Sequence, residues 1–88
     1  MLKICSNKGF HITFQNGYTA SVQFGPGNYC DNYHLSFQSK EIPPCSNAEI
    51  ACINPQGKLI DAFDWGDTVK GHVTPNELIE FFTKVAAL

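Results

Sequence analysis

The sequence predicts an α+β fold: an antiparallel sheet of about four to five strands built on two hairpins, with one C-terminal helix packed on one face. Three observations lead there. Strict apolar and polar alternation runs from Phe10 to Phe24. A second apolar stretch, Asn47 to Phe63, is interrupted by the turn former Asn54-Pro55-Gln56-Gly57. Thr74-Pro75-Asn76-Glu77 then opens a segment whose apolar residues recur at helical spacing.

In the first hairpin every even position except Asn16 is apolar or aromatic (Phe10, Ile12, Phe14, Tyr18, Ala20, Val22, Phe24). A two-residue Asn16-Gly17 turn would pair Phe14 with Thr19 and mix apolar with polar side chains on one face. A three-residue loop, Gln15-Asn16-Gly17 with Gly17 left-handed in a G1 bulge, pairs Phe14 with Tyr18, Ile12 with Ala20 and Phe10 with Val22. The second hairpin is expected from Asn47 to Ile53 and Lys58 to Phe63, around a type I turn with Pro at its second and Gly at its fourth position. With Ile53 opposite Lys58, one face carries Ala51, Ile53, Ile60 and Ala62, and the other Ile50, Cys52, Leu59 and Phe63. Both faces are then apolar, so something must cover each. Tyr33, Leu35 and Phe37 alternate with His34, Ser36 and Gln38 and predict a further strand before Pro43-Pro44.

The helix begins at Pro75. Thr74 is its N-cap, Glu77 closes a capping box, and Val73 can staple to Leu78. Leu78, Phe81, Phe82 and Val85 form one apolar stripe, while Glu80 and Lys84 make an exposed i, i+4 pair. This helix covers one face of the sheet. Two covers are open for the other: a symmetric partner chain, or the loop 39–46 folded over it.

With 88 residues the chain holds a single domain, 1–88. A hydrophobic content of 43% against 16% charged residues predicts a folded rather than a disordered chain. All six basic residues are Lys, and the net charge is −2. The guanidinium forks that grip phosphates and guanine edges are absent, which argues against an extended nucleic-acid surface. One phosphate can still be held by backbone amides and a Lys or two. Cys5, Cys30, Cys45 and Cys52 match neither a redox C-x-x-C pair nor a zinc pattern, so free thiols in a reducing cytoplasm are expected. Leu2-Lys3-Ile4-Cys5-Ser6-Asn7 is not a leader pattern, and no apolar run is long enough to span a bilayer.

The candidate site is the glycine-rich loop Phe24-Gly25-Pro26-Gly27-Asn28-Tyr29-Cys30-Asp31-Asn32. Gly25 and Gly27 free backbone amides. Asn28, Tyr29, Asp31 and Asn32 add hydrogen-bonding and stacking groups. The same composition also serves as a plain chain reversal. Lys70 and His72 precede the helix and could share a face that meets an anion near its N-terminus. Trp65, in Asp64-Trp65-Gly66-Asp67, is either a lid over the core or a stacking platform for a base. His11 and His34 read as polar-face strand residues. Asp61, Asp64 and Asp67 read as a polar turn rather than a calcium loop. Cys30, Asp31 and His34 form a tempting trio, but Asp31 works against a reactive thiol and no nucleophile motif surrounds it. No enzyme, metal or cofactor is expected.

The segments Asn16 to Asn32 and Asp67 to Pro75 resemble short accessory proteins of bacteriophages and prophages. The resemblance implies a small viral protein expressed in the host cytosol, of a kind that acts stoichiometrically on host defences. With the loop chemistry, the leading expectation is a non-enzymatic, homo-oligomeric binding protein that sequesters a small nucleotide-like, even cyclic, immune signal. The site residues expected are Gly25, Gly27, Asn28, Tyr29, Asp31, Asn32, Trp65, Lys70 and His72. The alternative is a protein inhibitor that covers a host defence enzyme through a strand edge or sheet face.

Overall fold

The computed structural model describes residues 1–6 and 8–88. It shows an α+β architecture: β1 (Leu2–Ile4), β2 (Gly9–Thr13), β3 (Thr19–Gln23), β4 (Ala48–Ile53), β5 (Leu59–Ile60), β6 (Val69–Val73) and the helix α1 (Pro75–Ala86). Strands β1 to β4 lie side by side in chain order, all antiparallel. The far edge of β4 is shared end to end: β5 pairs with Cys52 and Ile53, and β6 with the stretch from Ala48 to Ala51.

The first hairpin has the register its alternation requires. Ile12 lies opposite Ala20 and Phe10 opposite Val22, and the Phe14 N–H donates to the Tyr18 carbonyl at 2.9 Å. Gly17 takes φ 87°, the left-handed geometry of the bulge. Asn16 Oδ1 accepts the Tyr18 N–H at 3.0 Å and braces the turn.

The second hairpin corrects the expected register by one residue. Leu59, not Lys58, lies opposite Ile53, and Ile60 lies opposite Cys52. The cause is Asn54, whose Oδ1 accepts the N–H groups of Gln56 (3.0 Å) and Lys58 (2.9 Å), while its own N–H donates to the Lys58 carbonyl. The loop therefore matches that of the first hairpin. A one-residue slip exchanges faces. Ile60 joins Ile50 and Cys52 toward the helix, and Leu59 is left 51% exposed on the other side.

The strand expected over Tyr33, Leu35 and Phe37 is a run of turns. The Tyr33 N–H donates to the Cys30 carbonyl, that of Leu35 to Asn32, and that of Ser39 to Ser36, so local bonds replace a ladder. Two strands were not expected. β1 has only three residues, too few for a period, and β6 carries Gly71 and a bulge that breaks its alternation.

The core lies between the sheet and α1. Ala20, Val22, Ala48, Ile50, Cys52 and Val73 meet Phe81 and Val85, with Phe10, Leu78 and Phe82 at the margin. Burying Phe81 and Val85 contributes about 1.5–3 kcal/mol each. The expected capping box is present: Thr74 Oγ1 accepts the Glu77 N–H, and Glu77 Oε1 accepts the Thr74 N–H at 3.0 Å. Glu80 and Lys84 pair at 3.1 Å on the surface. At the other end Asn16 Nδ2 donates toward the carbonyls of Val85 (2.9 Å), Ala86 (3.2 Å) and Leu88 (3.2 Å), so the first hairpin turn caps the helix.

The loop 39–46 does not cover the face away from α1. Ile42 sits with Ile4, Phe10 and Phe24, and Cys45 with Phe10 and Leu78, all toward the helix side. The corrected register exchanges Ile60 for Leu59 on the far face, and Leu59 stays half exposed there. What it carries includes a Thr13–Thr19 hydroxyl pair and a Gln23–Ser21 bond. Among the described residues no helix is long and apolar enough to cross a membrane.

Candidate functional site

A long irregular segment, 24–47, joins β3 to β4, and loops beyond about 15 residues are usually functional or disordered. This one is pinned from within. Asn32, 7% exposed, donates through Nδ2 to the carbonyls of Phe24 (2.9 Å) and Pro43 (3.0 Å) and draws its arms together. Glu49 Oε2, on β4, accepts the Tyr29 N–H at 3.1 Å, and Asn47 Oδ1 accepts the Asp31 N–H at 2.8 Å. Asn28 Oδ1 accepts the Gly25 N–H at 3.2 Å, and the Gly27 N–H donates to the Tyr33 carbonyl. The loop amides expected to cradle a phosphate are thus engaged inside the fold. Gly25, Gly27, Asn28 and Asn32 build the loop, while the side chains of Tyr29, Asp31, Tyr33 and His34 face outward.

Those side chains converge on one recess of about 430 Å3, walled by Tyr29, Cys30, Asp31, Tyr33, His34 and His72. Tyr29 and Tyr33 stack with centroids 5.8 Å apart and planes 11° from parallel, and His34 meets Tyr33 edge-on at 5.2 Å. The tyrosines remain 51% and 43% exposed, so one flat aromatic wall is open to solvent. β6 supplies the opposite side. A Cβ on Gly71 would lie 2.6 Å from Tyr29 Cβ, so only glycine admits the loop this close. His72 donates its N–H to the Tyr29 carbonyl at 2.8 Å and holds φ 53°, a conformation that costs a non-glycine residue about 1 kcal/mol or more.

The structure divides the expected site. Tyr29, Asp31 and His72 meet in the recess, whereas Trp65 and Lys70 line a separate crevice of about 80 Å3 beside α1. The bulge in β6 is the reason: it places Lys70 and His72 on different sides instead of on one face. Of the two readings of Trp65, its packing is that of a lid, with ring centroids 5.8 Å from Phe63 and 5.9 Å from Phe81. The helix N-terminus is occupied by its own capping box. The Glu77 carboxyl lies below its ordinary range through its hydrogen bonds to Thr74, with a smaller contribution from the Lys70 charge.

Burial pushes the Cys30 thiol up to about 11, with Cys45 and Asp31 adding to the effect, the reverse of what a nucleophile requires. The aspartates after β5 shape a turn: Asp61 accepts the N–H groups of Trp65 (2.8 Å) and Gly66 (2.9 Å). Among the described residues no group of three or more His, Cys, Asp and Glu side chains is placed to hold a metal ion.

Tyr33 and His34 belong to the site, although alternation assigned them to a strand. The signal for them is the four-residue spacing of Tyr29 and Tyr33 within a turn-rich segment. Asn47 and Glu49 orient the loop and carry no sequence signature. Comparison with protein-family models, with curated proteins and with solved structures finds no match to this chain.

Proposed function

We propose that this protein is a non-enzymatic binding module that takes up a small nucleotide-like ligand in the recess between the 24–47 loop and β6. The observation that carries the reading is the open Tyr29–Tyr33 stack beside Asp31, His34 and His72. A base stacks on the tyrosine wall, which is worth about 1–3 kcal/mol per base. The Asp31 carboxylate accepts from its amino edge or a ribose hydroxyl, and the two imidazoles lie where a phosphate follows. The raised Cys30 thiol supports binding over thiol catalysis. The resemblance to short phage proteins makes sequestration of an immune signal in the host cytosol the role such uptake would serve. Self-association belongs to the same proposal, supported by Leu2, Ile4 and Ile79, all more than 60% exposed.

Native mass spectrometry with a panel of cyclic di- and trinucleotides and adenine-ribose compounds tests ligand and assembly together. The expected result is a discrete species that gains one nucleotide mass per site, with the gain abolished by Tyr29→Ala and Tyr33→Ala at unchanged Tm. Indifference of the folded protein to the whole panel would refute it. The second reading, a protein inhibitor, rests on β1, a three-residue edge strand with Leu2 76% and Ile4 79% exposed beside unpaired backbone. It predicts a tight complex that Leu2→Glu breaks and nucleotides leave untouched.

A further inference from the structure

Cys30 and Cys45 come together behind the recess, both as free thiols. Cys30 is 2% exposed, with its Sγ 3.7 Å from the Gly25 carbonyl, and Cys45 is half-buried, with its Sγ 3.8 Å from Asn47 Oδ1. That same oxygen accepts the N–H of Asp31, the residue after Cys30. Asn32 meanwhile clamps Phe24 to Pro43, so the two arms of the loop run side by side at this point. The Cys45 thiol is near enough to Cys30 to help raise it. Cys52 is sealed in β4 and Cys5 follows β1, so neither shares this arrangement.

We infer that Cys30 and Cys45 form a redox-modifiable pair that closes to an intramolecular disulfide in the presence of a low-molecular-weight disulfide such as oxidised glutathione. Cys45, the accessible member, gives up its proton to water and attacks one glutathione sulfur, releasing one glutathione thiolate. Cys30, a poor nucleophile toward outside molecules, is held beside Cys45, and in this intramolecular step it gives up its proton to water, attacks Cys45 Sγ and expels the second glutathione. Two protein thiols are oxidised and one external disulfide is reduced to two thiols. Closure ties residues 30–45 into a ring carrying Tyr33 and His34. It does not depend on which ligand the recess takes.

The test treats the folded chain with oxidised glutathione, alkylates remaining thiols in denaturant and maps tryptic peptides. The expected product joins Gly9–Lys40 to Glu41–Lys58, two hydrogens lighter than the sum of the two peptides apart from one alkyl group on Cys52, and free of retained glutathione. The second peptide also carries Cys52, so Cys45→Ser must abolish the link while Cys52→Ser keeps it. Cys30→Ser should stop at a glutathione adduct on Cys45. Cys45→Ser changes only a half-buried position, so the test survives if the Cys30 variant fails to fold. The oxidised wild type should melt at least about 5 °C higher than the reduced form. A wild-type chain that stops at the glutathione adduct, or links only to a second chain, would overturn the inference.

Discussion

Asn16 holds two structures at once, and its replacement separates them. Its Oδ1 braces the first hairpin turn, and its Nδ2 donates toward three carbonyls at the end of α1. One amide group has two hydrogens, so the three contacts amount to two shared bonds, each worth about 0.5–1.5 kcal/mol net. The Ala86 and Leu88 carbonyls are exposed and recover water, so Asn16→Ala should cost about 1.5 kcal/mol, turn brace included. Asn16→Asp keeps the brace, loses the donors and sets a carboxylate against the negative end of the helix. The added repulsion of about 0.3–1 kcal/mol brings its cost to about 2 kcal/mol at pH 7, a Tm loss on the order of 10 °C. The carbonyls raise the introduced carboxyl above its unfolded value of about 3.9. Its penalty is therefore full above the raised value and fades as pH falls through it, until the protonated acid donates to Val85. Urea unfolding followed by Trp65 fluorescence at pH 7 and near pH 3 measures both arms. An Asp variant as stable as wild type at pH 7, or a penalty unchanged by acid, would refute the capping role.

Trp65→Ala should lower stability by about 2–4 kcal/mol in thermal unfolding by opening the Phe63–Phe81 cluster, with ligand uptake in the recess unchanged. Gly71→Ala should drive Tyr29 off β6, costing about 1–3 kcal/mol and the recess together, seen as loss of the Tyr29–Tyr33 contact in aromatic NMR spectra. Thr74→Ala should cost about 1 kcal/mol by denaturant titration. Because the Glu77 carboxyl is held below its ordinary value by Thr74, the stability it adds is present above that ordinary value and lost as pH falls through the lower folded one. The Thr74 variant should therefore show a flatter acid limb.

The first hairpin and the helix were legible because their determinants are local. Asn16-Gly17 sits inside an alternation that tolerates one register, and Thr74 to Glu77 holds its own cap. The second hairpin was harder because both faces are apolar, so a slip leaves no polar residue misplaced, and only the Asn54 side chain decides. β6 was hidden by Gly71 and the left-handed His72, which exist to meet Tyr29, a contact between residues far apart in the chain. The loop residues were visible, but their roles were not. Asn47 and Glu49, 16 and 20 residues beyond Asp31 and Tyr29, claim the amides that otherwise looked free for a ligand.

Residues 1 and 88 both reach the turn at 13–16, where the Met1 amino group donates to the Thr13 carbonyl at 2.8 Å and Asn16 touches the Leu88 carbonyl. The recess lies beyond the opposite end of the sheet, where Gln23 pairs with Glu49. Strand β3, at about 3.4 Å per residue, sets some 17 Å of sheet between them. Whatever is joined to either residue, a resin, a fluorophore or a second protein, is held behind the molecule. Tethering at that turn leaves Tyr29 and His72 facing solution, so immobilised protein can be challenged with ligands without masking the surface in question.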